Sequence, residues 1–128
     1  MTKRILYIED MRECYDKTVA ALGHEYDLDW RKNLLEAMQA LGHIKVYNAV
    51  VCDGNLTYDD SLPDDVQSVE GLEIIREIRR RGSNIPIVFA SCTRTSIERA
   101  LKLGANFSMF KKQFWSGQGK AKLEGMLT

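Results

Sequence analysis

The chain has 128 residues and a mass of 14.6 kDa, so we expect a single domain over residues 1–128. With 45% hydrophobic and 28% charged residues, it can bury a core and remain soluble. No apolar run approaches the roughly 18 residues that cross a bilayer, and the N-terminus lacks a secretory signal pattern. The three cysteines include no CxxC pair. These features predict a reduced, cytoplasmic protein that does not insert into membranes.

The net charge of zero hides an uneven distribution along the chain. Residues 46–75 carry seven acidic and no basic side chains, whereas residues 76–128 carry eleven basic and three acidic ones. Nonspecific nucleic-acid binding depends on neutralising phosphates, so a neutral chain does not favour it. The acidic middle instead indicates a cation site, and the basic C-terminal part indicates an acidic protein partner.

Strand and helix patterns alternate from the N-terminus onward. Residues 4–8 form an apolar run that predicts a buried strand. The next helix is predicted to end near Gly23, and its apolar stripe comprises Met11, Tyr15, Val19 and Leu22. Residues 26–30 alternate like a strand. A second helix is predicted to end at Gly42, and its apolar stripe comprises Leu34, Met38 and Leu41.

Residues 48–52 predict a further buried strand, which leads directly into Asp53. The next residues, 54–70, are rich in Asp, Ser and Gly and keep no period, which predicts a loop of 17 residues. Loops of this length are uncommon in compact domains and are usually functional or mobile. We interpret this one as a mobile, solvated loop, with a lid or docking element as the alternative.

The rest of the chain continues the same alternation. A helix is predicted from Gly71, followed by a strand at residues 87–90 and a short helix that stops at Gly104. Residues 107–110 predict a last strand, and residues 117–127 predict a weak final helix. Five such units with nearly continuous apolar strands predict an α/β fold, a doubly wound three-layer sandwich around a parallel sheet.

Polar residues follow four of the predicted strands. They are Glu9 and Asp10, Asp53, Ser91, and Lys111. The carboxyl ends of parallel strands meet at one edge of the sheet, where three carboxylates would repel one another. A Mg²⁺ ion with oxygen ligands would remove that repulsion. A lysine and a hydroxyl beside an aspartate would also suit a phosphoryl group on that aspartate, and a carboxylate is a competent phosphoryl acceptor.

These residues lie in segments that resemble the receiver domains of two-component response regulators. The matching segments are residues 5–10, 49–53, 71–79, 86–91 and 100–105, together with Lys111. They extend over almost the whole chain except the residues after Asp53 and the final helix. The resemblance implies a flavodoxin-like sheet of five parallel strands in the order 2-1-3-4-5. It also implies a stand-alone, chemotaxis-receiver-like signalling protein in a two-component system or phosphorelay, with no enzyme activity beyond its own phosphoryl transfer and dephosphorylation.

The resemblance also implies a metal site. Asp10 would bind Mg²⁺ directly, and Glu9 would bind it directly or through water. Asp53 would be both a metal ligand and the phosphoacceptor. Asn55 would contribute its backbone carbonyl to the same ion, because it stands two residues after the acceptor.

The partners follow from the same resemblance. A histidine kinase or a histidine phosphotransfer protein would donate the phosphoryl group to Asp53. Ser91 would be the switch hydroxyl and Lys111 the lysine that contacts the phosphoryl group. No output domain follows in this sequence, so we expect output through contact with a downstream protein target, without direct nucleic-acid binding.

The sequence departs from the family pattern in three places. The spacing from Asp53 to Gly71 is 18 residues, about ten more than is usual, and it carries Asp59, Asp60, Asp64 and Asp65. Lys112 stands where the family usually has a proline, commonly after a cis bond. Ser108 stands where the family has an aromatic switch residue on the last strand. The missing aromatic residue predicts an altered route for signalling rather than loss of phosphorylation, and Lys112 predicts a changed local geometry at Lys111.

Two other functions fit parts of the sequence. A degenerate receiver could act as an adaptor without phosphorylation, which the departures at Lys112 and Ser108 would favour. Residues 51–57 also loosely resemble the nucleophile loop of haloacid-dehalogenase-type phosphatases. That loop needs a second aspartate two residues after the first, and Asn55 occupies the position. We therefore expect the phosphoacceptor function.

Overall fold

Five parallel strands form the central sheet of the computed structural model, which describes residues 2–57 and 68–127. They are β1 (Lys3–Ile8), β2 (Tyr26–Arg31), β3 (Ala49–Asp53), β6 (Ile87–Ser91) and β7 (Phe107–Phe110). Two shorter strands, β4 (Asn55–Thr57) and β5 (Ser68–Glu70), pair as an antiparallel hairpin outside this sheet. The sheet order is β2-β1-β3-β6-β7, which is 2-1-3-4-5 when only its own strands are numbered. The predicted fold class and strand order are therefore confirmed.

Helices lie on both faces of the sheet. They are α1 (Arg12–Leu22), α2 (Leu34–Ala40), α3 (Leu72–Arg80), α4 (Arg94–Leu103) and α5 (Gly119–Leu127). A 3₁₀ helix, Leu41–Val46, extends α2, and a helical turn, Lys111–Gln113, leads into a π-helical segment, Phe114–Gln118. Among the described residues, we find no helix with the length and apolar character needed to cross a membrane.

Two apolar clusters form the core, one on each face of the sheet. Alternate residues of β1 divide between them: Leu6 and Ile8 join the cluster with α2, α3 and α4, whereas Ile5 and Tyr7 join the cluster with α1 and α5. Strands β3 and β6 are buried along their whole length. Burial on both faces explains why these strands are continuous apolar runs in the sequence.

Helix α1 turns a different face to the core than the predicted one. Met11 is 51% exposed, and Tyr15 and Val19 are only partly buried, whereas the inward face comprises Cys14, Thr18 and Leu22. The prediction counted only apolar side chains, and it failed because the central inward residue is a threonine. Its hydroxyl is hydrogen-bonded inside the protein, so its burial carries no unpaired polar group.

Two element boundaries also differ from the predicted ones. The segment after α2 continues through Gly42 as the 3₁₀ helix instead of ending there. Helix α5 begins at Gly119, two residues later than predicted, because Gly117 has a positive φ of 112° within the π-helical segment. A glycine accepts this conformation at little cost, so the chain changes direction there.

The stretch between β3 and α3 was predicted as one loop, and this is wrong at both of its ends. Residues 55–57 pair with residues 68–70 as the hairpin β4–β5. At the base of the hairpin, the Gly71 N–H donates to the Gly54 carbonyl at 3.0 Å. A Cβ on Gly71 would lie 1.7 Å from the Asp53 carbonyl oxygen, so only glycine allows this approach. The four acidic residues of the insertion, and its predicted mobility, lie outside the described residues.

Candidate functional site

The predicted polar residues meet at the carboxyl edge of the sheet. Glu9 and Asp10 follow β1, Asp53 ends β3, Ser91 ends β6, and Lys111 follows β7 directly. The register brings the strand ends level, since Asp53 is opposite Ala90 and Ser91 is opposite Phe110. Parallel pairing therefore assembles five side chains that lie far apart in the sequence.

A buried ion cluster forms the centre of the site. The Lys111 Nζ lies 2.8 Å from the Asp53 Oδ1 and 3.1 Å from the Glu9 Oε1. Asp53 is 4% exposed and Glu9 only 1% exposed. One ammonium group thus faces two carboxyl groups that have little contact with water, and the Coulombic interaction among them is strong.

The cluster changes the proton affinity of all three groups. Burial raises the pKa of Glu9 to about 9, and the neighbouring charge of Asp53 adds to the effect. Burial also raises the pKa of Asp53, although the charge of Lys111 opposes the rise. Burial alone would lower the pKa of Lys111, but the nearby Asp53 and Glu9 raise it overall. Lys111 therefore stays charged, while burial makes both carboxyl groups hold a proton more readily than exposed ones would.

The acidic residues fit a divalent metal ion. Carboxylate oxygens of Glu9, Asp10 and Asp53 all lie within 4.8 Å of one another. Mg²⁺ is typically held by one or two protein carboxylates and completes its octahedron with water and phosphate oxygens. A single lysine leaves this group of carboxylates with an excess of negative charge, which a divalent cation would neutralise. The donor set therefore suits Mg²⁺.

The site opens into a cleft of about 380 Å³, which has room for a phosphoryl group and its hydration. Asp10, Asp53, Ser91 and Lys111 all line it. The Ser91 Oγ accepts a hydrogen bond from the Thr93 N–H at 3.2 Å. A Cβ on Gly54 would lie 2.5 Å from that Oγ, so glycine at this position lets the serine sit beside the acceptor strand.

Asn55, the fourth predicted metal ligand, lies in the hairpin rather than in the central sheet. It begins strand β4 two residues after Asp53, and its register partner is Glu70. The hairpin therefore holds its backbone next to the end of β3. The contribution of its carbonyl to the metal remains a prediction.

The two departures at the last strand have structural consequences. The peptide bond before Lys112 is trans, and no cis peptide bond occurs within residues 2–57 and 68–127. Lys111 nevertheless contacts Asp53. Ser108 takes the place of the aromatic residue, and its Oγ donates to the Ile97 carbonyl at 2.8 Å. The serine ties β7 to α4, and this small side chain leaves no ring to rotate.

No protein-family model matches the sequence, and no curated protein is similar to it. Solved structures are similar. A receiver domain protein from Clostridium thermocellum superposes with a TM-score of 0.78 at 15% identity, covering 98% of this chain and 94% of that one. The phosphorylated cyanobacterial phytochrome response regulator RcpA gives 0.73 at 20% identity, with 98% and 91% covered.

A third similar structure is the CheY-like receiver domain protein from Methanospirillum hungatei. Its TM-score is 0.67 at 21% identity, and the match covers 98% of this chain and 97% of that one. The chain has the receiver-domain fold. The likeness extends over nearly the whole chain.

Sequence reasoning missed three polar residues behind the acidic site. Tyr7 lies in β1, and its hydroxyl reaches the Thr18 Oγ1 at 2.9 Å. The Trp115 Nε1 donates to that same Oγ1 at 3.0 Å. The signal for Tyr7 was a phenol within an aliphatic strand, because a buried hydroxyl needs a hydrogen-bond partner.

Proposed function

We propose that this chain is a phosphoacceptor signalling switch in which Asp53 takes a phosphoryl group in the presence of Mg²⁺. The observation that carries the proposal is the Lys111 ammonium at 2.8 Å from Asp53, next to two further carboxyl groups and an open cleft. Glu9, Asp10, Asp53 and the Asn55 carbonyl would hold the ion. Bound Mg²⁺ would supply positive charge to the phosphoryl oxygens.

The chain's own groups account for the rest of the transfer. A carboxylate oxygen of Asp53 forms a bond to the phosphorus of a phosphohistidine, and the bond from phosphorus to nitrogen breaks. The imidazole nitrogen leaves with the electron pair and takes a proton. Lys111 stabilises charge on the phosphoryl oxygens, and the Ser91 hydroxyl donates a hydrogen bond to one of them. Attack of water on the acyl phosphate later returns Asp53 to a carboxylate.

The partners proposed are a histidine kinase or histidine phosphotransfer protein as donor and a downstream protein as target. RcpA, one of the similar structures, is described as phosphorylated, which supports the first part by analogy. The basic C-terminal part of the chain favours an acidic target surface. The reaction would take place on the chain itself, without turnover of a separate substrate.

Intact mass spectrometry after incubation with Mg²⁺ and acetyl phosphate tests the proposal. We expect the protein to gain one phosphoryl group and Asp53→Asn to gain none. Asp27→Asn provides a matched control, because Asp27 is an exposed carboxylate on β2 whose side chain is 64% exposed. This control should be phosphorylated like the unmodified protein.

Two results would count against the proposal. Equal phosphorylation of Asp53→Asn would place the acceptor elsewhere. No phosphorylation by acetyl phosphate or by a phosphorylated histidine phosphotransfer protein, together with no Mg²⁺ binding, would favour the adaptor function instead.

A further inference from the structure

The Trp30 indole, on the edge strand β2, donates its N–H to the backbone carbonyl of Glu9 at 2.7 Å. The Glu9 N–H donates in turn to the Arg31 carbonyl at 3.0 Å, which extends the β1–β2 ladder by one residue beyond the end of β1. Both backbone groups of Glu9 are therefore bonded to β2, one to its main chain and the other to its tryptophan side chain.

The Glu9 carbonyl belongs to the peptide group that leads into Asp10. Because a peptide group is planar, the direction of this carbonyl also fixes the direction of the Asp10 N–H and the place of the Asp10 Cα. Asp10 is partly exposed and lines the cleft of about 380 Å³. The indole hydrogen bond therefore acts on the direction of a carboxylate that faces the cleft, and it acts through the backbone rather than through charge.

Aromatic packing holds the indole in place for this hydrogen bond. The Tyr15 ring of α1 stacks on the Trp30 ring, with centres 4.2 Å apart and planes 15° from parallel. The Lys32 ammonium lies 5.2 Å from the centre of the same indole. Ring stacking and cation–π contacts both favour one orientation of the ring. The direction of the Trp30 N–H is therefore set by contacts outside the acidic site.

We propose that Trp30 is a positioning residue, which holds the Glu9–Asp10 peptide so that the Asp10 carboxylate points into the cleft. Hydrogen-bonding partners behind metal-binding residues are commonly worth about 10- to 100-fold in metal affinity. The identity of the ion rests on the proposed function, whereas the hydrogen bond and its effect on Asp10 do not. Trp30 itself touches neither the ion nor the phosphoryl group.

An isosteric replacement isolates the hydrogen bond. The chain has two tryptophans, so Trp30 is the only one left in Trp115→Phe, which serves as the reference protein. Expression of this protein with benzothienylalanine in place of tryptophan puts a sulfur where the Trp30 N–H was and keeps the two-ring shape that stacks on Tyr15. The two preparations then differ at one ring position. Trp30→Phe also lacks the N–H and should reproduce the results.

The position of Asp10 is measurable without any metal. Glu9–Asp10 is the only Glu-Asp pair in the sequence, so glutamate labelled with ¹³C at the carbonyl and aspartate labelled with ¹⁵N give a single HNCO cross-peak. We expect this peak to move when the Trp30 N–H is removed. With ¹³C also at the aspartate Cγ, the three-bond coupling from the Asp10 nitrogen to its Cγ should change towards the value for a freely rotating side chain.

Mg²⁺ affinity measures the consequence for the cleft. We expect the dissociation constant from isothermal titration calorimetry to rise about tenfold when the Trp30 N–H is removed. Leu28→Ala in the reference protein is the matched control, since Leu28 lies two residues before Trp30 on β2 and packs partly buried against the same core cluster. It should lower the Tm and leave the dissociation constant unchanged, because it removes packing but not the hydrogen bond.

An unchanged Asp10 coupling would overturn the proposal, and so would an equal loss of Mg²⁺ affinity in Leu28→Ala. If Mg²⁺ binds equally well with and without the Trp30 N–H, the positioning role fails and the proposed function stands. If the reference protein binds no Mg²⁺ at all, the proposed function fails, and the metal-free coupling alone decides whether Trp30 positions Asp10.

Discussion

At the scale of single residues, the carboxyl groups of Glu9 and Asp53 both contact the ammonium group of Lys111. Lys111 lies within 3.1 Å of both carboxyl groups, and neither has much contact with water. Burying two carboxyl groups with one ammonium is costly unless one carboxyl group keeps its proton. Burial raises the pKa of both Glu9 and Asp53, so the pair holds a proton more readily than exposed carboxyl groups would. Stability alone would not favour this arrangement, whereas the proposed phosphoacceptor site would use it.

This arrangement predicts how stability varies with pH. Burial is the main cause that raises the pKa of Glu9 from 4.5 to about 9, and the charge of Asp53 is the second. Between these values the folded protein keeps a proton that the unfolded chain releases, so the free energy of unfolding falls as pH rises. We expect Glu9→Gln to flatten this decline and to gain more than about 1 kcal/mol at pH 8 in metal-free buffer.

Chemical denaturation at several pH values provides the measurement. The comparison is made well below pH 4.5, where Glu9 is protonated in both the folded and the unfolded protein, and at pH 8, where only the folded protein keeps that proton. Glu98→Gln is a suitable control, because Glu98 is an exposed carboxylate within α4 and is not one of the residues of the ion cluster. Parallel stability curves for Glu9→Gln and the unmodified protein would contradict the prediction.

The sequence predicted which polar residues meet at the carboxyl edge of the sheet, because strand ends are visible as a change from apolar to charged residues. It did not predict Tyr7, Thr18 and Trp115 as a group. Their contacts depend on which face α1 turns inward and on a π-helical segment, and neither follows from local periodicity. Composition shows that a hydroxyl is present but not which partner satisfies it.

The junction between Asp53 and α3 is decisive at the scale of elements. Gly71 begins α3 with its backbone against the Asp53 carbonyl, at ordinary φ. The position therefore requires glycine for space rather than for backbone freedom. Any side chain there would move either the helix or the acceptor strand.

We expect Gly71→Ala to destabilise the protein by about 1–3 kcal/mol, because the added methyl overlaps backbone atoms that cannot move aside cheaply. It should also slow phosphorylation by about tenfold or more, since Asp53 would be displaced from Lys111. Thermal unfolding and the rate of mass gain with acetyl phosphate measure the two effects.

Gly125→Ala is the matched control for this change. Gly125 is exposed in α5, and a Cβ there would meet nothing within 4 Å. Alanine in a helix should gain up to about 1 kcal/mol and leave phosphorylation unaffected. Equal behaviour of the two variants would show that the close approach at Gly71 has no energetic effect.

Elements were predictable from the sequence in proportion to their length and burial. Strands β3 and β6 are five-residue buried runs and were found almost at their observed ends. Strands β4 and β5 have three residues each, too few for a period to show, so the sequence appeared to contain only a loop. Their pairing depends on the close approach of Gly54 and Gly71, which is a tertiary contact.

At the scale of the whole molecule, metal binding should be visible as stability. The three carboxyl groups come from β1 and β3, which meet only in the folded sheet, so Mg²⁺ would bind the native state and not the unfolded chain. Binding at ten times its Kd adds about 1.4 kcal/mol to the free energy of unfolding. We therefore expect Mg²⁺ to raise the Tm.

Differential scanning calorimetry with and without Mg²⁺ measures this rise. Asp10→Asn should abolish most of it, because Asp10 is the partly exposed ligand that faces the cleft. Asp16→Asn serves as control on the exposed side of α1. A rise in Tm that persists in Asp10→Asn would place the bound ion outside the acidic site.

The global fold was predictable because each level of the sequence pattern agreed with the next. Buried strands, alternating helices and the charges after the strand ends all require one parallel sheet. The residues between Gly54 and Gly71 did not disturb that prediction, because the chain on either side of them meets at one place. The Gly71 N–H meets the Gly54 carbonyl at 3.0 Å, so the sheet and α3 continue as though the intervening residues were absent.

That hydrogen bond has a consequence for chain length. A segment whose ends are already joined can gain or lose residues with little effect on the sheet, since doubling the length of a flexible loop costs only about 0.6 kcal/mol. The sheet and α3 therefore tolerate a change in the number of residues that separate Gly54 from Gly71, whereas Gly71 itself cannot take a side chain without displacing the Asp53 carbonyl.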